Sequence, residues 1–384
     1  MKTRTRVRLV FGCILILLGV SGCSSVFPKL EKSASGNSPK KNLVFAVVKP
    51  QASILTKLHP PVERASPLVI GDVIYQGSVY EKFFALQKKS GQVIWTKSIK
   101  SGVEGGAAYF DRKVYFGAND GFFYCLDSET GKTLWSYNAK AEILSTPLVV
   151  GGIVYFSTTQ NTLYALKSQT GEWVWYYNKG YIQKISVRGS SSPVYQDGKI
   201  FIGFSDGYFY AFNAFNGNVI WFKRLTEDDK FNDVDVTPLV SSKDIIVATY
   251  DGNVYSLQLA SGAIKWKYKN WDVNGIAAND KAMYVTSSSG VVFCLNRNTG
   301  AKLWDVKLSS GIPTLPIVVE DQLILGSSEN YVYSLSIENG AEIWRYNTDS
   351  GMTARPVFMS EKLFLFTDLS VIHVVDPFYL IPSS

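Results

Sequence analysis

Histidine is nearly absent from this chain of 384 residues, which contains only two, His59 and His373. Two imidazoles so far apart give no support for a histidine metal site or for histidine acid–base catalysis. His373 falls at a position that is aromatic elsewhere in the chain, which favours a packed ring. His59 stands in a proline-rich connection, which favours the surface. We therefore expect no catalytic residue and no bound metal.

Cysteine is also scarce, with four residues, and no two of them are adjacent. Cys13 and Cys23 belong to an N-terminal targeting segment. Cys125 and Cys294 each stand between an aromatic residue and a leucine, where Ala or Ser stands in other repeats of the chain, which indicates small buried side chains. The two cysteines fall in repeats that we expect on opposite sides of a ring, so the sequence predicts no disulfide between them.

A concentrated basic run is missing from the body of the chain. Lys2, Arg4, Arg6 and Arg8 supply four of the seven net positive charges, so the remainder carries a side-chain charge of about +3 (7 − 4). Mixed charges without a Lys/Arg face exclude a nucleic-acid-binding surface. Paired acids such as Asp228 with Asp229 lack the glycine-spaced loop and closing glutamate of a calcium site, so an exposed loop is the expectation there.

Residues 1–22 have the composition of a signal peptide. The apolar run from Leu9 to Val20 is too short to cross a bilayer. The following Val20-Ser21-Gly22-Cys23 resembles the bacterial lipobox, which implies lipidation of Cys23; an ordinary secretory signal is the alternative. Ser24 after the cysteine resembles the pattern of lipoproteins sent to the outer membrane. Residues 23–42, rich in Ser, Lys, Pro and Gly, are expected to form a flexible tether.

One short pattern, Gly-x-x-x-Trp, organises the remainder of the chain and accounts for seven of the nine tryptophans. Its positions are Gly91/Trp95, Gly131/Trp135, Gly171/Trp175, Gly217/Trp221, Gly262/Trp266, Gly300/Trp304 and Gly340/Trp344. The glycines are 40, 40, 46, 45, 38 and 40 residues apart. A period near 40 with strand-like content is typical of a radial β array. We predict an all-β fold over residues 43–384, an eight-bladed β-propeller of four-stranded antiparallel blades.

The last repeat, from Arg355 to Asp376, supplies only three strands and lacks its Gly-x-x-x-Trp strand. A lone strand at 43–48, near the N-terminus, can complete it, with Phe45 near the tryptophan position. That arrangement joins the two ends of the chain and removes an exposed sheet edge. A propeller of the WD type is disfavoured because its Gly-His and Trp-Asp pairs are missing, apart from an isolated Trp304-Asp305.

Two consecutive long steps place extra residues at 179–190 and 225–236, in connections that emerge on the same face of neighbouring blades. Insertions so placed commonly form the binding face of a repeat protein. The candidate residues are Ile185, Val187, Arg188, Asp233 and Asp235. They combine an apolar anchor with a charged rim, which is the composition of an interface centre. Alternatively, the arginine pairs with one of the aspartates and only braces the loops.

At these residues the sequence resembles the BamB family, the propeller lipoproteins of the outer-membrane β-barrel assembly machinery. The resemblance is carried by the lipobox, the tryptophan repeats, and the segments Ile185-Ser186-Val187-Arg188-Gly189 and Asp233-Val234-Asp235-Val236-Thr237-Pro238. In that family, two leucines and the arginine of the first motif, with both aspartates of the second, bind the POTRA domains of BamA. The resemblance implies the same role for Ile185, Val187, Arg188, Asp233 and Asp235, with Ile and Val in place of the leucines.

Three function classes follow. The first, which the resemblance favours, is a non-enzymatic scaffold without cofactors, lipid-anchored on the periplasmic face of the outer membrane. It would bind BamA, with nascent outer-membrane proteins as a further candidate partner. The second is an envelope propeller with another partner. The third is a pyrroloquinoline-quinone dehydrogenase, since the repeat also resembles quinoproteins; the missing vicinal cysteine pair and the compact repeats disfavour it.

Overall fold

The described part of the chain contains thirty-two strands and one short 3-10 helix, Pro377–Tyr379. A computed structural model describes residues 43–46, 62–180, 191–226, 233–269 and 272–380. The strands form eight antiparallel sheets of four strands each. This confirms the prediction of an eight-bladed propeller with four-stranded blades. The expected signal peptide and tether, with Cys23, and also His59, lie outside the described residues.

The strands of the first four blades follow the chain order. Blade 1 contains β2 (Leu68–Ile70), β3 (Val73–Ser78), β4 (Lys82–Gln87) and β5 (Val93–Ser98). Blade 2 contains β6 (Ala107–Phe110), β7 (Lys113–Gly117), β8 (Phe122–Asp127) and β9 (Thr133–Asn138). Blade 3 contains β10 (Leu148–Val150), β11 (Ile153–Ser157), β12 (Thr162–Lys167) and β13 (Trp173–Asn178). Blade 4 contains β14 (Val194–Gln196), β15 (Lys199–Gly203), β16 (Tyr208–Asn213) and β17 (Val219–Arg224).

The next four blades continue the pattern, and the eighth takes its outermost strand from the N-terminal side. Blade 5 contains β18 (Leu239–Val240), β19 (Ile245–Ala248), β20 (Asn253–Leu257) and β21 (Ile264–Lys269). Blade 6 contains β22 (Val273–Ala278), β23 (Ala282–Ser287), β24 (Val291–Asn296) and β25 (Lys302–Lys307). Blade 7 contains β26 (Ile317–Val319), β27 (Gln322–Gly326), β28 (Tyr331–Ser336) and β29 (Glu342–Asn347). Blade 8 contains β30 (Val357–Met359), β31 (Lys362–Phe366), β32 (Val371–Val375) and β1 (Leu43–Ala46).

The first strand of each blade lies innermost, because first strands of neighbouring blades contact one another, as β2 contacts β6 and β6 contacts β10. The tryptophan strands are therefore outermost. We call the segment from the outermost strand of one blade to the innermost strand of the next a connector. Connectors meet the turn between the second and third strands: the Val234 N–H, for example, donates to the Phe204 carbonyl at 3.1 Å. Connectors and these turns therefore share one face of the propeller.

The motif's glycine and its tryptophans meet across blades. Gly171 in blade 3 has φ +72°, and a Cβ there would lie 2.5 Å from Cε3 of Trp135 in blade 2. The same tryptophan donates its indole N–H to the Ser168 carbonyl of blade 3 at 3.1 Å. Equivalent glycine contacts recur at Gly131/Trp95, Gly217/Trp175, Gly262/Trp221, Gly300/Trp266 and Gly340/Trp304. Each of these glycines thus leaves room for the indole ring of the preceding blade, which packs against it in the seam between the two sheets.

The ring closes as the sequence predicted. Strand β1 pairs antiparallel with β32, with Phe45 opposite Ile372. A Cβ at Gly91 would lie 2.3 Å from Cγ of Phe45, so this phenylalanine packs against the glycine as a tryptophan does in the other seams. The eighth blade is therefore completed by the N-terminal strand, and both ends of the propeller are held in one sheet.

The seams between blades are filled by apolar side chains, many of them stacked rings, such as Phe83 on Phe116 with centroids 4.0 Å apart. Cys125 and Cys294 are buried and free, as predicted, and burial raises the pKa of these thiols to about 12 and about 11. Both thiols are therefore protonated at neutral pH and behave as packing groups.

His373 is 4% exposed and packs edge-on against Tyr346, whose hydroxyl lies 3.1 Å from Nδ1. Burial lowers the pKa of His373 to about 4, which keeps the ring neutral. The prediction of a packed ring at this position is confirmed.

Candidate functional site

The candidate site predicted from sequence spans two enlarged connectors, from blade 3 to blade 4 and from blade 4 to blade 5. Residues 181–190 and 227–232 lie outside the described residues, and so do Ile185, Val187 and Arg188. The structure describes the other two predicted residues, Asp233 and Asp235, at the end of the second connector. The described part of the candidate site therefore consists of these two aspartates and the blades beneath them.

Residues 233–236 are fastened to the propeller by two valines. Val234 is fully buried among residues of blades 4 and 5, and Val236 packs into the seam of blades 5 and 6. The segment also lies close to the end of β15, because a Cβ at Gly203 would lie 2.3 Å from the Val234 carbonyl oxygen. These contacts fix the backbone on which both aspartates are carried.

The two aspartates have different surroundings. Asp233 is 0% exposed, whereas Asp235 is half-buried and reaches solvent. The backbone carbonyl of Asp233 also accepts the Tyr250 N–H at 2.9 Å, which ties the connector to the turn of blade 5. Of the two predicted contact residues that the structure describes, Asp235 is thus the one that a partner can touch directly.

Asp235 borders a small polar cavity of about 10 Å³ at the ends of blades 3 and 4, which Ser157, Asn161, Ser191 and Ser205 also line. Burial, followed by the negative charge of Asp233, raises the pKa of Asp235 to about 6, and hydrogen bonds from backbone N–H groups oppose this only in part. At neutral pH the carboxylate is ionised but poorly solvated, and it is stabilised by any cation that approaches it. A strongly perturbed carboxylate beside a surface opening is a functional-site candidate on physical grounds.

The start of the first enlarged connector is anchored on blade 4. Lys179 places Nζ 2.8 Å from Oδ2 of Asp206 and 3.6 Å from the centre of the Tyr208 ring. Beneath it, the side-chain oxygen of Asn161 in blade 3 accepts both the N–H and the hydroxyl of Ser205 in blade 4, at 3.0 and 2.9 Å. These polar contacts lock blades 3 and 4 together at the base of the predicted surface.

Sequence reasoning missed a pair of exposed aromatic residues at one repeat position on the outer strands of the same two blades. Tyr176 and Phe222 each follow the tryptophan of the strand and are 62% and 58% exposed. The equivalent residues of blades 1, 2, 5, 6 and 7 are Thr96, Ser136, Lys267, Asp305 and Arg345. Alignment of the repeats shows this difference, so the signal was available in the sequence. Large exposed rings at one place in an otherwise polar series are typical of interaction surfaces.

A wider polar cavity of about 430 Å³ opens on the same face, beside blades 1 to 3. Its wall includes Glu104, which accepts a hydrogen bond from Asn119 at 2.7 Å and pairs with Arg64 at 3.5 Å. Mutual pairing of these polar groups marks the cavity wall as a structural network. Sequence analysis gave no indication of it.

Among the described residues, no group of three or more His, Cys, Asp and Glu side chains is placed to hold a metal ion. Within the same ranges, no helix has the length and apolar character needed to cross a bilayer.

Comparisons with known proteins identify relatives of the chain. A family profile described as "Outer membrane protein assembly factor BamB" matches residues 80–306 and 251–375. The outer membrane protein assembly factor BamB of Legionella pneumophila (strain Paris) is 36% identical over 330 residues, which are 82% of this chain and 85% of the relative. The BamB of Escherichia coli (strain K12) is 30% identical over 149 residues, and that of Shewanella oneidensis is 27% identical over 152 residues. These two matches cover 37% and 38% of this chain, and each covers 38% of the relative.

Solved structures support the fold. The crystal structure of BamB from Moraxella catarrhalis aligns with a TM-score of 0.75 at 22% identity, over 86% of this chain and 99% of that one. The quinohemoprotein alcohol dehydrogenase from Comamonas testosteroni aligns with a TM-score of 0.68 at 14% identity, over 79% and 70% of the two chains. At these identities the likeness concerns the fold alone, and a fold does not by itself determine function. The profile match and the Legionella relative decide the family: the chain belongs to the outer membrane protein assembly factor BamB family.

Proposed function

We propose that this protein is a non-enzymatic scaffold subunit of the outer-membrane β-barrel assembly machinery. Membership of a family named for outer-membrane protein assembly supports the proposal. In this role the propeller binds the POTRA domains of BamA and helps nascent outer-membrane proteins to fold and insert. A lipid on Cys23 holds it on the periplasmic face of the outer membrane.

The observation that carries the proposal is the state of Asp235. It lies on the connector face, at the end of the second enlarged connector, at a position that matches the partner-binding motif, and its carboxylate is poorly solvated. Within a folded chain such a group is a cost, because desolvation disfavours its charged form. A cationic group on a docked partner offsets that cost, which gives the residue a reason to be an aspartate.

The docking surface is then composed as follows. Ile185 and Val187 provide an apolar anchor, Arg188 provides a cation, and Asp235 provides an accessible carboxylate at the rim. Asp233 is fully buried, so it does not touch the partner. It holds the connector in place, and its negative charge raises the pKa of Asp235. Tyr176 and Phe222 extend the surface over the outer edges of blades 3 and 4. If Arg188 instead pairs with an aspartate within the chain, it braces the two connectors and the apolar residues carry the binding.

A dehydrogenase role receives no support from the residues around this surface. The described polar groups there are hydroxyls, an amide and carboxylates, and both described cysteines are buried thiols in the seams. Quinone-dependent oxidation requires a cofactor pocket with oxygen ligands for a metal and a general base. Titration of the protein with pyrroloquinoline quinone and calcium, with an alcohol as substrate, tests this alternative directly.

The decisive experiment measures binding of the purified protein to the POTRA segment of BamA from the same organism, with Arg188→Glu and Asp235→Lys, alone and combined. We expect binding by the unchanged protein and at least a tenfold loss in each variant, since loss of one partner of an interfacial charge pair costs about 2 kcal/mol or more. Asp235 is the better position for charge reversal because a lysine at the fully buried Asp233 would disturb folding.

Asp305→Lys, on an exposed outer strand of blade 6, is the matched control and should bind normally. Circular dichroism and the thermal midpoint check that every variant is folded. Absence of binding by the unchanged protein would reject the POTRA partner and favour an envelope propeller with another partner. Unfolding of Arg188→Glu, with normal binding by Asp235→Lys, would instead assign the charges a bracing role.

A further inference from the structure

The wide cavity on the connector face, of about 430 Å³, is lined by side chains of both charges. It lies among the three connectors that lead into blades 1, 2 and 3, whereas the docking surface lies on the connectors that lead into blades 4 and 5. The lining includes Val62, Arg64, Val79, Glu104, Asn119 and Glu142. A cavity of this size is typical of small-molecule sites, which measure about 300–1,000 Å³.

Glu104 is the central polar group of the cavity wall, and its side chain is only 9% exposed. Its Oε1 atom accepts a hydrogen bond from Asn119 Nδ2 at 2.7 Å, and its Oε2 atom lies 3.5 Å from Nη1 of Arg64. Asn119 is itself held in place by its backbone N–H, which donates to the Gly102 carbonyl at 3.1 Å. The amide and the guanidinium therefore flank the two oxygens of one largely buried carboxylate.

The pairing of these groups is incomplete. Charge-assisted N–H···O⁻ bonds are usually about 2.7–2.9 Å long, so the 3.5 Å contact of Arg64 is weak. The Arg64 side chain is 42% exposed, and this contact is its one hydrogen bond to the described residues. On the other side of the carboxylate, Asn119 Oδ1 has no hydrogen-bond partner in the described part of the chain. An acceptor and most of a guanidinium fork are thus available on either side of Glu104.

We propose that this cavity binds a small zwitterion, an amino acid or a short peptide. The planar fork of Arg64 matches the two oxygens of the ligand's carboxylate, and charge-assisted bonds of this kind are among the strongest that proteins make. The ligand's ammonium group donates to Glu104, to Asn119 Oδ1 and to Glu142, which is the second carboxylate of the lining. The proposal does not depend on the POTRA partner, because the ligand binds to other connectors.

The lining disfavours ligands of a single charge. A simple anion would be repelled by Glu104 and Glu142, and a simple cation would be repelled by Arg64. A metal ion is disfavoured because no three acids, histidines or cysteines of the described chain are grouped to hold one. Val62 and Val79 add an apolar surface for the ligand's side chain. The mixture of charges therefore fits a molecule that carries both.

The test is isothermal titration of the purified full-length protein with L-alanine and, separately, with L-alanyl-L-alanine at neutral pH. The two probes separate a free amino acid from a peptide. The N-acetyl derivative of each probe lacks the ammonium group, and the amide derivative lacks the carboxylate. We expect saturable binding of at least one zwitterion, and about tenfold or weaker binding of both its derivatives.

Two variants of the protein assign the two ends of the ligand. Glu104→Gln should bind the zwitterion about tenfold more weakly and should largely lose its preference over the N-acetyl derivative. Arg64→Gln should lose its preference over the amide derivative instead. Glu129→Gln, at an exposed glutamate paired with Arg112 on the opposite face of blade 2, is the matched control and should bind as the unchanged protein does.

Circular dichroism and the unfolding midpoint check that each variant is folded. Glu142→Gln is a second variant at the ammonium end, and it should also weaken binding. No saturable binding of either zwitterion would overturn the proposal. Equal affinities in the unchanged protein, Arg64→Gln and Glu104→Gln would overturn it too, as would equal binding of a probe and its derivatives by the unchanged protein.

Discussion

Two glycines of blade 4 allow the cost of filling the seam between blades to be separated from the cost of the left-handed backbone conformation. Gly217 and Gly198 have nearly the same backbone angle, with φ of +74° and +75°. They differ in surroundings: a Cβ at Gly217 would lie 2.6 Å from Cδ2 of Trp175 in blade 3, whereas a Cβ at Gly198 would meet no atom within 4 Å. Alanine at the second position is therefore a matched control for alanine at the first.

The expected magnitudes follow from these contacts. Both alanines pay for a left-handed backbone, about 1–2 kcal/mol each, and both reduce the entropy of the unfolded chain to the same extent. Gly217→Ala must in addition displace the Trp175 ring, whose indole N–H donates to the Ala214 carbonyl at 3.0 Å. Forcing a methyl group into such a packed seam costs a further 1–3 kcal/mol or so. We expect Gly217→Ala to lose about 1–3 kcal/mol more stability than Gly198→Ala.

Denaturant unfolding followed by tryptophan fluorescence measures the difference, with midpoints compared at equal slope. The same two variants should be assayed for POTRA binding, because the displaced seam joins the two blades that carry the enlarged connectors. Equal midpoints for the two alanines would refute the reasoning. The glycine of the repeat would then be explained by its turn alone and not by the indole that rests on it.

Three further predictions concern single groups. Asp235→Asn should raise the thermal midpoint at pH 7.5 and leave it unchanged near pH 4. The pKa of Asp235 is about 6 in the folded protein and 3.8 ordinarily, so its ionisation lowers stability as the pH rises from 3.8 to 6. Differential scanning calorimetry at several pH values tests this. The buried carboxylate of Glu63 accepts hydrogen bonds of 2.6 Å from serine hydroxyls of blades 1 and 8, and so links the two blades at which the ring closes. Glu63→Ala should lower the free energy of unfolding by about 3 kcal/mol, and Glu63→Gln should lower it clearly less; denaturant unfolding measures both. The double variant Tyr176→Ser with Phe222→Ser should weaken POTRA binding severalfold in titrations. Its unfolding midpoint should stay nearly unchanged, because both rings are exposed. A lower midpoint would show that the rings contribute to packing.

Most of the fold was predictable because the same pattern of strands, glycine and tryptophan recurs in every complete repeat. Seven glycine–tryptophan pairs fix the number of complete blades, and the incomplete last repeat together with the lone strand near Phe45 fixes the closure. The sequence could not show which tryptophan rests on which glycine. Pairs that are neighbours in the motif, such as Gly171 and Trp175, belong to one blade, whereas the contact joins Gly171 to Trp135 of the blade before. Such contacts depend on how the sheets are packed, and motif spacing within a blade does not contain that information.

The sequence predicts a candidate site on the enlarged connectors, but it does not show how the two described aspartates are placed there. Asp233 and Asp235 are two residues apart, and an extended segment would present both to the same side. The structure buries the first completely and leaves the second half-exposed. The buried Val234 and Val236 hold the segment against two different seams, so its path follows the propeller and not a free strand. The raised pKa of Asp235 depends on that path and was not accessible to sequence reasoning.

The negative charge of Asp235 is a costly feature of the propeller. An uncompensated charge lowers stability where it is desolvated, so a chain selected for folding alone would have no reason to keep the poorly solvated Asp235. We therefore expect a partner to provide the missing charge, and removal of the carboxylate should stabilise the isolated propeller while it weakens binding.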